Sequence, residues 1–294
     1  MPDYTILGDG YEAAISSRGG ALRILRHHGR DIVTPWPQEG PIPFFSGALL
    51  APWPNRVVGA TYEFEGVRRD LPVTEPGRGH ALHGLVGDAD WACAEHVPGE
   101  HGFVRLTRVI EPTPGYPFRI ELDVRYSLSP AGLTTTLTAR NTGEDAAPYG
   151  CGPHPWLLAG PRVEDYELDL PAGLVLLTDD VLAPVSLEDV AATPYDFRSP
   201  SVVAGTAIDH AFTGLTTGRV RISGPDGGAE VSWDPARMPW VQVCTGTGLG
   251  HHGLAIEPMT CPPDAFNSGT DLIVLKPGDE HEASWTISGF SPQD

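Results

Sequence analysis

Lysine is nearly missing from this chain: of its 19 basic residues only Lys276 is a lysine, and the rest are arginine. Positive charge as a whole is scarce. Asp and Glu number 38, so the formal net charge is −19 at pH 7. A surface this acidic repels phosphate backbones and anionic lipid heads, which argues against nucleic acid and membrane partners. Cysteine is sparse too. Cys93, Cys151, Cys244 and Cys261 lie far apart with no C-x-x-C pair, against a metal finger or a thioredoxin-type motif; buried free thiols are expected. No apolar run approaches the ~18 residues that would span a bilayer. The start, Met1-Pro2-Asp3-Tyr4, lacks a basic stretch followed by an apolar core, so no secretory signal is read and a cytoplasmic setting is expected. No segment carries a long helical period with caps, and 35 glycines and 30 prolines would interrupt one. The arginine bias, with abundant Gly, Pro and Ala, reads as composition rather than function.

What is present is strand. The 294 residues are 40% hydrophobic with seven Trp, enough for a sizeable globular core. Ile120, Leu122, Val124, Tyr126 and Leu128 alternate with Glu121, Asp123, Arg125 and Ser127, the period of a half-buried strand. Leu133, Thr135, Leu137 and Ala139 continue it after Ser129-Pro130-Ala131-Gly132, which reads as a hairpin with a four-residue connection. A second hairpin joins Arg219–Ser223 to Ala229–Trp233 through Gly224-Pro225-Asp226-Gly227-Gly228. Further strands are expected at Tyr11–Ser16, Ala21–His27, Thr61–Phe64, Phe103–Ile110, Trp240–Cys244 and Glu282–Ser288. Without repeat, linker or helix, the expected fold is all-β: one large antiparallel β-sandwich or barrel over residues 1–294, and a sandwich can have a broad concave face able to hold a flat polar ligand. No sequence feature specifies an oligomeric state.

Several clusters carry chemistry. Gly253–Ile256 reads as a short buried strand ending in Glu257-Pro258, and the proline should stop regular pairing. A carboxylate at such a strand mouth suits a general base, and equally an ion pair with an arginine. Asn55-Arg56 follows Ala51-Pro52-Trp53-Pro54, a rigid setting for a five-donor guanidinium or for a surface ion pair. His80-Ala81-Leu82-His83-Gly84 offers an H-x-x-H, but its flanking glycines favour a loop over a metal-binding helix. Pro153-His154-Pro155 holds a histidine in a restricted backbone, either packed or positioned as an acid. Asp209-His210-Ala211-Phe212 and Val241-Gln242-Val243 add a carboxylate and an amide, suited to hydroxyls or to solvent.

Taken in order, these segments resemble the aldose 1-epimerase (galactose mutarotase) family. The resemblance runs from about Gly47 to Lys276. It is carried by Asn55-Arg56 with Thr61-Tyr62; Leu82-His83-Gly84; Gly152-Pro153-His154-Pro155-Trp156; Asp209-His210-Ala211-Phe212; Val241-Gln242-Val243-Cys244-Thr245; and Ala255-Ile256-Glu257-Pro258-Met259-Thr260 with Ala265-Phe266-Asn267. Trp156 stands where tyrosine is usual, and Leu85-Val86-Gly87-Asp88 replaces a Gly-rich continuation, which implies a divergent branch.

The resemblance implies a galactose mutarotase-like supersandwich that interconverts the α and β anomers of a free hexose, with no metal or cofactor. It implies Glu257 as general base at the C1 hydroxyl and His154 as general acid at the ring oxygen. It places Asn55, Arg56, His83, Asp209 and Gln242 around the sugar hydroxyls. Trp36, Trp53 and Trp156 are candidates to stack on the ring. Other readings remain open. An epimerase of a hexose 6-phosphate or a sulfosugar would need cations, with Arg23, Arg26, Arg68, Arg69 and Arg78 available. A non-catalytic carbohydrate-binding sandwich would not need both Glu257 and His154. A metal hydrolase would use His83, His154, Asp209 and Glu257 as ligands, and a glycosidase would pair Asp209 with Glu257.

Overall fold

A computed structural model describes residues 2–291. Among these the only α-helix is Ala265–Ser268, and the remainder is strand, short 3-10 turns and loop. The largest sheet has nine antiparallel strands. In spatial order they are Ala92–Val97, Phe103–Ile110, Ile120–Ser129, Gly132–Asn141, Glu280–Phe290, Gly227–Trp233, Arg219–Gly224, Glu167–Asp169 and Ser201–Val202. A six-stranded antiparallel sheet runs Trp156–Leu157, Leu254–Met259, Trp240–Cys244, Asp209–Leu215, Ala172–Thr178, Pro184–Asp189. A four-stranded sheet at the N-terminus, Asp3 to Asp31, packs beside them.

The alternation read from the sequence sets the core. Ile120, Leu122, Val124, Tyr126 and Leu128 are all buried, and the residues between them are exposed or half-buried. They join one hydrophobic cluster with Leu137, Val231 and Ile287 from the same sheet and with Phe212, Val241, Val243 and Ile256 from the six-stranded sheet. Fully burying each such side chain is worth roughly 1.5–3 kcal/mol.

Two hairpin connections are shorter than expected. Ser129 pairs with Gly132 and Gly224 with Gly227, so each turn is two residues, Pro130-Ala131 and Pro225-Asp226. Glycine makes this possible. Gly132 (φ 117°) and Gly227 (φ 104°) sit where a β-carbon would lie 2.3 Å and 2.2 Å from a neighbouring strand's carbonyl oxygen, at Ile287 and Phe290. The pairing also does not stop at Pro258: the ladder continues through Val241↔Pro258 to Trp240↔Met259. Opposed residues in an antiparallel pair exchange both hydrogen bonds or none, and a proline fits a position of the second kind. On the other edge the Ile256 and Thr260 N–H groups donate to the Pro155 and Cys151 carbonyls, and Pro258, between them, is the one position that offers no donor. All four cysteines are free. Cys151 and Cys261 are buried, but Cys244 is half-buried and Cys93 exposed, against the expectation of burial.

Candidate active site

The six-stranded sheet sorts its side chains by strand parity. Gln242 opposes Glu257, and Cys244 opposes Asp209. Opposed residues project from the same face, as do residues two apart. Asp209, Gln242, Cys244 and Glu257 therefore share one face, while Phe212, Val241, Val243 and Ile256 point into the core. Trp240, Met259 and Ala211 form a small apolar cluster beside the polar group on its own face.

Two loop systems complete the site. Gly152-Pro153 pairs with Leu49-Leu50, the His154 N–H donates to the Ala48 carbonyl (3.0 Å), and the Gly47 N–H donates to the His154 carbonyl (2.8 Å). His154 is thus fastened against segment 47–50. Arg56 pairs with Leu82, and the His83 N–H donates to the Asn55 carbonyl (2.8 Å). Asn55 (φ 53°) and His83 (φ 60°) both take the left-handed conformation, which turns these residues toward the cleft.

The result is a cleft of about 200 Å³ into which all seven singled-out residues project: Asn55, Arg56, His83, His154, Asp209, Gln242 and Glu257. Its centre is a buried pair. His154 Nε2 lies 3.3 Å from Glu257 Oε1, with Glu257 only 1% exposed. The His83 ring meets the His154 ring edge-on, centroids 5.0 Å apart. Gln242 Nε2 donates to Asp209 Oδ1 at 2.7 Å. Among the described residues, four buried polar atoms here have no hydrogen-bond partner: His83 Nδ1, His154 Nδ1, Gln242 Oε1 and Glu257 Oε2. Leaving a buried polar group unsatisfied costs about 1–3 kcal/mol, so this cluster is built for a ligand's donors and acceptors.

Burial shifts the central pair in opposite directions. Desolvation, with the nearby Asp209 charge, raises the Glu257 carboxyl well above its usual range, against the lowering pull of Arg56. Desolvation also lowers His154 to about 3, with His251 and Arg56 adding to it. His83 falls well below its ordinary value for the same first reason, assisted by His154 and Arg56. Burial therefore favours a neutral Glu257–His154 pair.

Some sequence candidates lie elsewhere. His80 is structural: Gly59 N–H donates to its Nδ1 (3.1 Å), which leaves Nε2–H to donate to the Val181 carbonyl (2.9 Å). Trp36 packs with Ala21 and Ala48, and Trp53 against Phe266 and Tyr116. Trp156 does line the cleft, but it is 1% exposed and its indole N–H donates to the Phe44 carbonyl at 3.2 Å. Arg23 and Arg26 are paired with Asp3 and with Asp31 and Glu12, Arg68 faces Asp70, and Arg69 bonds the Phe64 and Val67 carbonyls. Of the five proposed anion holders only Arg78 lines the cleft. Among the described residues no three His, Cys, Asp or Glu side chains gather as a metal site.

Sequence reasoning missed four cleft residues. Glu75 accepts from Arg56 through both carboxylate oxygens (2.8 and 3.0 Å) and from Arg78 (2.6 Å). Phe44, Phe45 and Leu249 supply an apolar rim. Only the turn residues Pro76-Gly77 after Glu75 and the glycines beside the others marked these stretches as loops.

The model of the aldose 1-epimerase family matches residues 2–288. A relative from Escherichia coli K12, the uncharacterized protein YihR, is 37% identical over 283 residues, spanning 95% of this chain and 90% of that protein. Solved structures share the fold. A GalM/aldose epimerase homologue from C. elegans superposes with TM-score 0.82 at 20% identity, covering 99% of both chains. Galactose 1-epimerase from Lactobacillus acidophilus gives TM-score 0.81 at 20% identity over 97% of this chain and 93% of its own. The fold expected from the sequence is the one found, and the chain belongs to the aldose 1-epimerase family, whose members are isomerases acting on carbohydrates.

Proposed function

We propose that the protein interconverts the α and β anomers of a free hexose such as glucose or galactose. The observation that carries this reading is the Glu257–His154 contact of 3.3 Å at the floor of a cleft lined with unpartnered polar atoms. Ring opening needs a proton to leave the C1 hydroxyl and another to reach the ring oxygen. Ionised Glu257 takes the first. The C1–O5 bond breaks, its electron pair goes to O5, and protonated His154 supplies the second proton there. What remains is an open-chain aldehyde beside a neutral pair. After rotation about C1–C2, O5 attacks the other face of the aldehyde, its proton returns to His154, and Glu257 protonates the carbonyl oxygen.

The proton count stays constant. The neutral pair favoured by burial and the ion pair needed for attack hold one proton between them, so activation moves it from Glu257 to His154. Sugar hydroxyls donating to the unpartnered Glu257 Oε2 favour the ionised carboxylate. Arg56 and Asn55 offer donors to the ring hydroxyls. Asp209 and the Gln242 carbonyl oxygen accept from them. A cytoplasmic setting and a small-molecule sugar as partner belong to the same proposal.

Arg78 supports a second reading. Its guanidinium is 42% exposed where it lines the cleft, so a phosphorylated or sulfonated sugar could place its anion there. Anomer exchange measured by NMR on glucose, galactose, a hexose 6-phosphate and a sulfonated hexose tests both. Acceleration of the neutral sugars is expected. A protein that leaves all of them at the buffer rate would sink the assignment.

A further inference from the structure

Phe44 and Phe45 hold a backbone that bulky residues rarely adopt. Their φ angles are 45° and 55°, two consecutive residues in the left-handed region where a β-carbon crowds the next carbonyl. Such a conformation persists only where the surroundings impose it. Here they do. Ser46 N–H donates to the Pro43 carbonyl and Ala48 N–H to that of Phe45, both at 2.8 Å, and the Trp156 indole holds the Phe44 carbonyl. Gly47, next in the chain, is bonded to His154. The strained pair is therefore fixed to the segment that carries the acid.

Packing accounts for one ring and not the other. Phe45 is half-buried, edge-on to His83 at 4.6 Å and near-parallel to His154 at 6.3 Å (24°). Phe44 is 42% exposed, with a tilted ring contact to His251 at 5.2 Å. Leu249, 45% exposed, joins it on the cleft lining, which elsewhere carries Arg56, Asp209 and Gln242. An exposed aromatic ring on a strained backbone adds little to stability. A pyranose has the complementary distribution, with hydroxyls around its edge and C–H groups on its faces.

We propose that Phe44 and Phe45 form an aromatic rest for the apolar face of the sugar ring, with Phe44 contacting the ring and Phe45 seating His83 and His154 behind it. This rests on the sugar reading above. It selects a pyranose with at least one face free of axial hydroxyls.

Glycine adopts positive φ without penalty, so Phe44→Gly separates strain from function. Its Tm should equal or exceed that of the wild type, while the Kd for D-glucose, measured by calorimetric titration, rises at least five-fold and KM rises with it more than kcat falls. Phe44→Leu, which keeps the strain, should weaken binding without any gain in Tm. An unchanged Kd in Phe44→Gly, or a fall in Tm as for a packing residue, would overturn the proposal. A wild type that binds glucose without accelerating exchange would defeat the epimerase reading, while the Kd comparison still decides the role of Phe44. A wild type that binds none of the sugars overturns both.

Discussion

Glu257 and His154 bear opposite consequences of burial, and these predict how stability and turnover depend on pH. A buried carboxyl with a raised pKa holds its proton in the native state after the unfolded chain has lost it. Stability then falls as pH rises from about 4.5 through the raised value. His154 acts at the other end: between about 3 and 6.5 the unfolded chain binds a proton that the native imidazole refuses, so stability falls as pH drops through that window. Glu257→Gln removes the first effect only. It should fold, cut anomer exchange by roughly 10²-fold or more, and gain in Tm over the wild type increasingly as pH rises above 4.5. Polarimetry and thermal melts across pH check both parts, and near-normal exchange in this variant would end the general-base assignment. His154→Asn should lose turnover to a similar degree, and it should lessen the acid-side fall in stability, the remainder coming from His83, which burial lowers as well. Glu75 acts at one remove, through Arg56. Their side chains are 13% and 9% exposed, and removing one member of a buried pair strands the other charge. Glu75→Gln should raise KM about ten-fold with a smaller change in kcat, and lower stability by about 3 kcal/mol in a denaturant titration. An unchanged KM would make the pair purely structural.

Elements differ in how much of them the sequence reveals. Phe103–Ile110, Thr61–Phe64 and Trp240–Cys244 match their expected bounds, because alternation or β-branched and aromatic content marks them. Ala172–Thr178 and Pro184–Asp189 went unmarked. The first is an unbroken apolar run after glycine and carries no period, and the second is an edge strand whose alternation is only two apolar residues long, Val185 and Leu187, both exposed. The site residues were found as separate motifs, but what joins them is ladder register and parity, which no single motif contains. Glu75 shows the remainder: its turn is ordinary, and only the fold brings it onto Arg56. Backbone close approach is likewise invisible until the chains meet. Gly84 (φ 73°) follows His83, and a β-carbon there would lie 2.1 Å from the Ala51 carbonyl oxygen, which already accepts the Leu85 N–H. Gly84→Ala should cost more than about 1 kcal/mol in a chemical melt and displace His83, with turnover falling alongside. A variant as stable as the wild type would mean that this crossing can relax.

The whole molecule adds a long-range term that the cleft alone does not have. Five acidic or basic side chains line the cleft, Arg56 and Arg78 against Glu75, Asp209 and Glu257, so they provide no clear cationic trap even with Glu257 neutral, and around them the chain carries a formal −19. A neutral hexose feels none of this field. An anionic sugar approaches against it and is helped only at short range by Arg78, whose closest partner is already Glu75. Screening tells the two apart, because the Debye length shrinks from about 30 Å at 0.01 M salt to about 10 Å at 0.1 M. Raising NaCl across that range should leave kcat/KM for glucose or galactose within about two-fold, because a neutral substrate has no charge to screen. For a hexose 6-phosphate the same change should raise kcat/KM, since repulsion by the acidic surface weakens. The opposite result, an anionic sugar turned over best at low salt and losing rate as salt is added, requires a cationic site that outweighs the net charge. That result would move the substrate assignment from a free hexose to a charged one; Arg78 is the residue placed to provide the site, and Arg78→Ala would then reverse the salt dependence to the gain expected from the acidic surface alone.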